Sequence, residues 1–526
     1  MADRSDLSRG EFLRLVGLGL GVFSSGTLLA ACSAAPSPGL PPAASPSVAA
    51  TPLPVVQVPE VEIALRATQA DYQILPGKPT HVWQYQGQVL SGPAEALQAL
   101  PDSYLGPVLR LQRGQKLRVH FTNDLPDPTI IHWHGLHVPE AMDGQPMQVI
   151  QRGQTYEYEY EILNRAGTYW YHPHPHGLTG PQVCAGLAGL LIVSDPEEAA
   201  LGLPGGEYDL PLVIQDRQFD ADNQIFYGGD QMIGYLGDRV LVNGQVDAKL
   251  ELAADVYRLR ILNGSNARTY LLAWDDGAPL TVIGTDGGLL AKPVQRQALT
   301  LAPGERVELW ADFSQYAPET ELLLKSLPFS AGGESMGMMG GGSGAPYGAA
   351  LDVLRVRIAR PGAKAGQLPE RLTEPGFHRA EDAQGKPRPF VLAMQHMTGT
   401  INGRTYEMDA VAPDEVVKLD SLEIWEFENA GGMGMGMMGA MMAQPHPMHL
   451  HAVQFQVIER LPGSGNDQML RAGLVDDGWK DTLLVLPGER ARVLVKFENF
   501  AGRYLYHCHN LEHEDGGMMR NFRIDA

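Results

Sequence analysis

The stretch YLYHCHNLEHEDGGMM, Tyr504 to Met519, sets one cysteine between two histidines, with a third histidine five residues after it and a methionine ten residues after it. Side chains alternate faces along a strand, so a strand here turns His507 and His509 one way and Cys508 the other. One strand can then serve two metal sites, back to back. A soft thiolate, two imidazoles and a weak thioether form the ligand set of a blue copper centre. Cys508, His513 and Met518 supply three of these in one short loop. The second imidazole must come from elsewhere.

The same strand end occurs twice. AGTYWYHPHPHG (Ala166 to Gly177) matches AGRYLYHCHNLE (Ala501 to Glu512) in the frame Ala-Gly-x-Tyr-x-Tyr-His-x-His. A looser repeat occurs three times: LQRGQKLRVHFTN from Leu111, LAPGERVELWADF from Leu301 and VLPGERARVLVKF from Val485. Each reads as a strand, a Gly turn and an alternating strand. From residue 60 onward short alternating runs are divided by Gly, Pro and Asn-Gly turns, with no long helical period. The expected fold is all-β, with three consecutive Greek-key β-sandwich domains at 59–197, 205–362 and 386–526 and a Pro-rich connector at 363–385.

Of 16 histidines, ten fall in four clusters: HWH (His132, His134), HPH (His172, His174), HPMHLH (His446, His449, His451) and HCHNLEH (His507, His509, His513). The HPMHLH cluster is the candidate source of the missing imidazole. A lone His-x-His reads as a surface pair, but four clusters, one with a cysteine, do not. His137 and His176 neighbour these clusters and read as supporting or surface residues, while His81, His120, His378 and His396 read as structural or exposed.

These four motifs resemble those of the multicopper oxidases, and the resemblance covers essentially everything after residue 60. The nearest likeness is to three-domain bacterial laccases and cuprous oxidases. It implies cupredoxin domains, with four copper ions held by the first and third. His446, Cys508, His513 and axial Met518 would hold a type 1 (blue) copper. His132 and His449 would hold a type 2 copper. His134, His172 and His509 would hold one type 3 copper, and His174, His451 and His507 the other. Electrons from a small-molecule or Cu(I) reductant would pass from the blue copper through Cys508 to the cluster and reduce O₂ to water. Glu514 and Asp143 match acidic positions that the family uses to carry protons.

Lys plus Arg number 40 against 61 Asp plus Glu, and the net charge of −21 argues against nucleic acid as a partner. A copper carrier without O₂ chemistry would leave the cluster histidines unexplained, and a relative stripped of metals would not keep the ligands. Three domains in one chain favour a monomer. Residues 1–31 read as a signal peptide, with a basic flank, an apolar stretch and the lipobox-like end LAAC. Cleavage would leave Cys32 as a lipid anchor on an exported, cell-envelope protein (periplasmic or outer surface), tethered by a Pro/Ala linker at 32–58. The alternative is a plain signal peptide. SRGEFLR also resembles a twin-arginine export motif, with Gly10 in place of the second arginine. Cys184 lies in an apolar run and reads as a buried, inert thiol. The Met-rich runs SMGMMGGGSG and GGMGMGMMGAMMAQPHP suit Cu(I), and the second, running into His446, reads as a lid over the blue site.

Overall fold

The computed structural model describes residues 60–526 apart from 229, 331–343, 364–365, 396–397, 431–443 and 464–466. The signal, the linker, both Met-rich runs and His396 therefore lie outside the described residues, or nearly so.

The strands form six sheets, and three of these share one plan. In the first, Val108–Gln112, Gly189–Ser194, Gly167–Pro173 and Ile131–His134 lie side by side in that order. In the second the order is Lys249–Ala254, Leu351–Pro361, Glu321–Ser326, Tyr270–Trp274, and in the third Val416–Lys418, Met519–Asp525, Gly502–Cys508, His446–Leu450. In each the first two strands run parallel and the rest antiparallel. The facing sheets also share a rule: the opening strand of each set pairs parallel with a later one, Val61–Tyr72 with Lys116–Asn123, Asp209–Arg217 with Val256–Asn263, and Arg388–Gln395 with Leu422–Asn429. The molecule is all-β and cupredoxin-like, three times over.

Alternation builds these sheets. Leu117, Val119 and Phe121 of Lys116–Asn123 point inward, as do Ala491, Val493 and Val495 of Arg490–Lys496. Each set closes over its own apolar core, around Trp133 in the first, Leu259 and Trp274 in the second, and Trp425 and Phe427 in the third. Each such buried side chain contributes about 1.5–3 kcal/mol.

The topology corrects one copy of the threefold repeat. Arg306–Asp312 and Arg490–Lys496 each pair with the strand that lies parallel to the opening strand of their set, and the strand in that place in the first set is Thr155–Glu161, not Lys116–Asn123. Both candidate copies carry Gln-Arg-Gly-Gln turns with left-handed glycines, Gly114 at φ 83° and Gly153 at φ 80°, before an alternating strand. The turn chemistry is the same, so sequence likeness could not separate them.

Candidate metal centres

Strand Gly502–Cys508 lies beside His446–Leu450, with Met448 opposite Cys508 and His449 opposite His507. Opposed residues share a face, so His446 and Met448 lie on the Cys508 side, and His449 lies on the His507 side. Cys508 Sγ is 3.5 Å from His446 Nδ1 and 3.5 Å from His513 Nδ1. The loop after Cys508 folds back on itself. Asn510 caps the helix Leu511–Asp515 by accepting from His513 N, Met518 N donates to His513 O at 2.8 Å, and Cys508 N donates to Met518 O at 3.0 Å. Met518 is fully buried, and a Cβ on Gly399 would press on Met518 Cβ at 2.7 Å, so only glycine lets that strand cross so close. The outer nitrogen of His513, Nε2, lies 3.2 Å from Met232 O.

On the other side of the strand eight histidines converge, all fully buried. His132 Nε2 and His449 Nε2 approach to 3.4 Å, while their Nδ1 atoms donate to the backbone carbonyls of Asp143 and Asp481, each at 2.8 Å. His507 Nε2 lies 3.3 Å from His174 Nε2 and 3.1 Å from His451 Nε2, so the expected trio His174, His451 and His507 comes together. His134 Nδ1 is 3.4 Å from His172 Nε2. The ring of His509 packs 4.9 Å from His134 and 5.3 Å from His172, although the tight donor group on that side is His132, His134 and His172.

The two sequence-selected acids sit at this cluster. Asp143 Oδ2 accepts from His451 Nδ1 at 2.9 Å. Glu514 has Oε2 3.1 Å from His507 Nδ1 and Oε1 3.5 Å from His174 Nε2. Burial would raise the Glu514 carboxyl, but the imidazoles of His174, His507 and His509 outweigh it and hold the group low. Cys184 is a buried free thiol, raised to about 11 by burial, and forms no disulfide with Cys508.

Sequence reasoning missed four charged residues. Asp481 Oδ1 is 3.1 Å from His134 Nε2 and takes Arg306 Nη1 at 2.7 Å. Glu512 accepts from Tyr235 N, Asn266 Nδ2 and Tyr227 Oη, and Asp515 accepts from Thr179 N and Gly180 N. The helix that carries His513 is thereby fastened to both other strand sets. The available signal was faint: Glu512 and Asp515 flank a ligand in the motif, Arg306 lies in the repeat from Leu301 with nothing to mark it as a site residue, and Asp481 stands in no motif.

The donor sets fit metal ions. Burial holds His174 and His513 at about 4 and His509 at about 3, so these imidazoles are neutral near pH 7 and offer lone pairs. Burial also raises the Cys508 thiol, so a bound cation is what would favour its thiolate. Both nitrogens of His509, Nδ1 of His174 and Oε1 of Glu514 are buried without a hydrogen-bond partner. Such orphaned atoms at one spot call for an ion or water.

Comparison with known proteins names the arrangement. Two family profiles, each described as multicopper oxidase, match residues 81–198 and 383–526. A laccase of Bacillus stratosphericus is 32% identical over 515 residues, covering 85% of this chain and 91% of that protein. The McoA multicopper oxidase of Aquifex aeolicus superposes with a TM-score of 0.75 at 33% identity, covering 89% of this chain and 98% of that one. A multicopper oxidase of Campylobacter jejuni described as a metallo-oxidase superposes at 0.71 with 28% identity, covering 88% and 91%. The histidine clusters, the cysteine between them and the threefold fold therefore have one source: this chain belongs to the multicopper oxidase family, oxidoreductase enzymes that couple a reductant to O₂.

Proposed function

We propose that the chain is a laccase-like oxidase of phenols and aromatic amines. A blue copper would be held by His446, Cys508, His513 and Met518. A type 2 copper would be held by His132 and His449, and two type 3 coppers by His134, His172 and His509 and by His174, His451 and His507. When bound, these ions supply one-electron oxidation at the first site and four-electron reduction of O₂ to two waters at the second. The observation that carries the reading is the single strand end at His507, Cys508 and His509. The thiol lies 3.5 Å from two imidazole nitrogens on one face, and its bonded neighbours reach the eight-histidine cluster on the other.

The chain's own groups have distinct parts in this reading. The backbone joining Cys508 to His507 and His509 is the shortest covalent path between the sites. The Met232 carbonyl fixes the outer edge of His513, and the partly exposed Tyr227 donates to Glu512 beside it. Glu514 Oε2 lies 3.1 Å from His507 Nδ1 and Asp143 Oδ2 lies 2.9 Å from His451 Nδ1, so both carboxylates are placed to accept protons and pass them toward the cluster. Burial of every cluster histidine excludes bulk solvent.

The test is oxygen uptake by the copper-loaded protein with a phenol and with Cu(I), compared at equal reductant. Uptake with neither, in a fully loaded protein, overturns the oxidase reading. Faster uptake with Cu(I) favours the second reading, a cuprous oxidase, which is supported by the Met-rich run leading into His446 and by the resemblance to a metallo-oxidase. Deleting Gly431–Met442 separates the two. A Cu(I)-gathering lid predicts slower Cu(I) oxidation and faster phenol oxidation, and no change in either removes the lid. Export and tethering at Cys32 complete the proposal, and the mass of the mature N-terminus tests them.

A further inference from the structure

The cluster has an approximate twofold relation written into strand register. Ile131 pairs Pro173 and His132 pairs His172 in the first sheet; Met448 pairs Cys508 and His449 pairs His507 in the third. The relation extends to two aspartates. Asp143 holds His132 Nδ1 with its backbone carbonyl at 2.8 Å and His451 Nδ1 with its carboxylate at 2.9 Å. Asp481 holds His449 Nδ1 with its backbone carbonyl at 2.8 Å and His134 Nε2 with its carboxylate at 3.1 Å. Each aspartate thus fixes one histidine of its own strand set and one of the other.

The two differ in what else they meet. Asp143 Oδ1 is buried with no hydrogen-bond partner. Asp481 faces Arg306, whose Nη1 and Nη2 donate to its two oxygens in a fork. Arg306 comes from the middle strand set, which supplies no ligand, and it also donates to the backbone carbonyls of Thr168 and Asp286. His134 Nε2, His449 Nδ1 and Asp481 could together be taken for a further cation site. The guanidinium excludes that, because it fills the carboxylate and brings its own positive charge. Gly135 leaves room for the pair, since a Cβ there would run into both Asp481 and Arg306.

We infer that Asp481, locked by Arg306, is a positioning residue that fixes His134 with Nε2 protonated and Nδ1 turned into the cluster, making the middle strand set a determinant of copper retention. Among the cluster histidines His134 is set apart in this way: His132, His449, His451, His174 and His507 approach one another through Nε2. A ring whose tautomer is set from outside loses no orientation on binding metal. The inference rests on reading these histidines as copper ligands. Copper loading of the unaltered protein tests that reading separately.

The experiment is copper retention against a chelator, read as copper per chain together with blue absorbance. Removing one charge alone would leave the other buried and unpaired, so the variant is the balanced double change Arg306→Gln with Asp481→Asn. The expected result is a cluster copper held about 10–100-fold more weakly, with blue absorbance unchanged. A matched control removes another buried ion pair of the middle strand set, Arg268–Asp216, also at 2.7 Å, by Arg268→Gln with Asp216→Asn. A purely structural role would make both double variants lose copper alike, or lose blue absorbance in step with it, and either result overturns the inference. So does full retention in the first double variant. Should that variant not fold, Arg306→Lys keeps the charge and breaks the fork, and a smaller loss in the same direction is expected. Full retention there overturns the inference equally.

Discussion

The strands Gly167–Pro173 and Gly502–Cys508 occupy the same place in their sheets, carry the same Tyr-x-Tyr-His frame and pair with their neighbours in the same register. They differ where function divides. Cys508 in one stands where Pro173 stands in the other, and Arg503 stands where Thr168 does. The first copy is fixed from within: Thr168 Oγ1 donates to the buried Glu308 at 2.6 Å, and its carbonyl takes Arg306. The second is fixed from outside, with Arg503 reaching Asp409 at 2.9 Å and its backbone N reaching Glu140. One frame therefore yields a purely ligating strand and a strand that also links two sites. The histidines come from the frame; the linkage comes from one side chain.

Breaking that one side chain should have the largest effect. Cys508→Ser removes the thiolate and leaves His446 and His513 without their third strong ligand. Blue absorbance should vanish and oxygen uptake with a phenol should fall to background, while most cluster copper remains bound. Persistent turnover would show that electrons enter elsewhere.

The next effect sharpens the far side of the same strand. Glu514→Gln keeps the shape beside His507 and removes the carboxylate that can take up a proton and pass it on. Turnover should fall by about 10²–10⁴-fold with copper content intact. Copper loss in parallel would make Glu514 a structural acid instead.

How the first copy is anchored can be tested through acid stability. Arg258 Nε, Arg260 Nη1 and Thr168 all donate to Glu308. Burial alone would raise this carboxyl, but Arg258 and Arg260 overcome it and hold it at about 2, against an ordinary value of 4.5. A depressed carboxyl stabilises the fold above its unfolded value and stops doing so as pH falls through the folded one. This contribution should be complete above about pH 4.5 and be lost towards pH 2. Glu308→Gln should cost about 1.5–3 kcal/mol at neutral pH, the worth of a charged hydrogen bond, because Arg258 and Arg260 lose their shared partner and keep only Glu198 and Asp209. It should also flatten the acid limb of the stability curve measured by denaturant unfolding.

These effects track what the sequence could reveal. The ligands were legible because period-two alternation converts His-x-His into a direction, and because the cysteine has one chemical use beside two imidazoles. On the strand end itself, the face that His507 and His509 take follows from their one-residue offset from Cys508. Glu308, Arg306 and Asp481 were not legible. Their contacts span 138 positions from Arg306 to Thr168 and 175 from Arg306 to Asp481, and single charged residues carry no periodic signal. The misplaced copy of the threefold repeat failed for a related reason, since two turns of the same chemistry precede two strands that only topology tells apart.

The smallest effect is the most direct test of the comparison. Pro173→Cys gives the first copy the residue that distinguishes the second. If a cysteine between two histidines were sufficient, a second blue centre would form. The geometry predicts none. Cys508 works because His446 lies two residues from its register partner Met448 and because the returning loop brings His513 and Met518 to the same face. In the first copy the register partner is Ile131, and two residues before it comes Thr129, whose hydroxyl is already committed to Gln182 at 2.7 Å. Among the described residues no imidazole pair gathers on that face. Blue absorbance per chain should stay unchanged, turnover should stay within a few-fold, and stability should fall by about 0.4–1 kcal/mol as the unfolded chain regains the freedom that proline denied it. A second blue band would mean that the frame alone builds the site, and that the loop from Asn510 to Met518 is less important than its closure around the thiol implies.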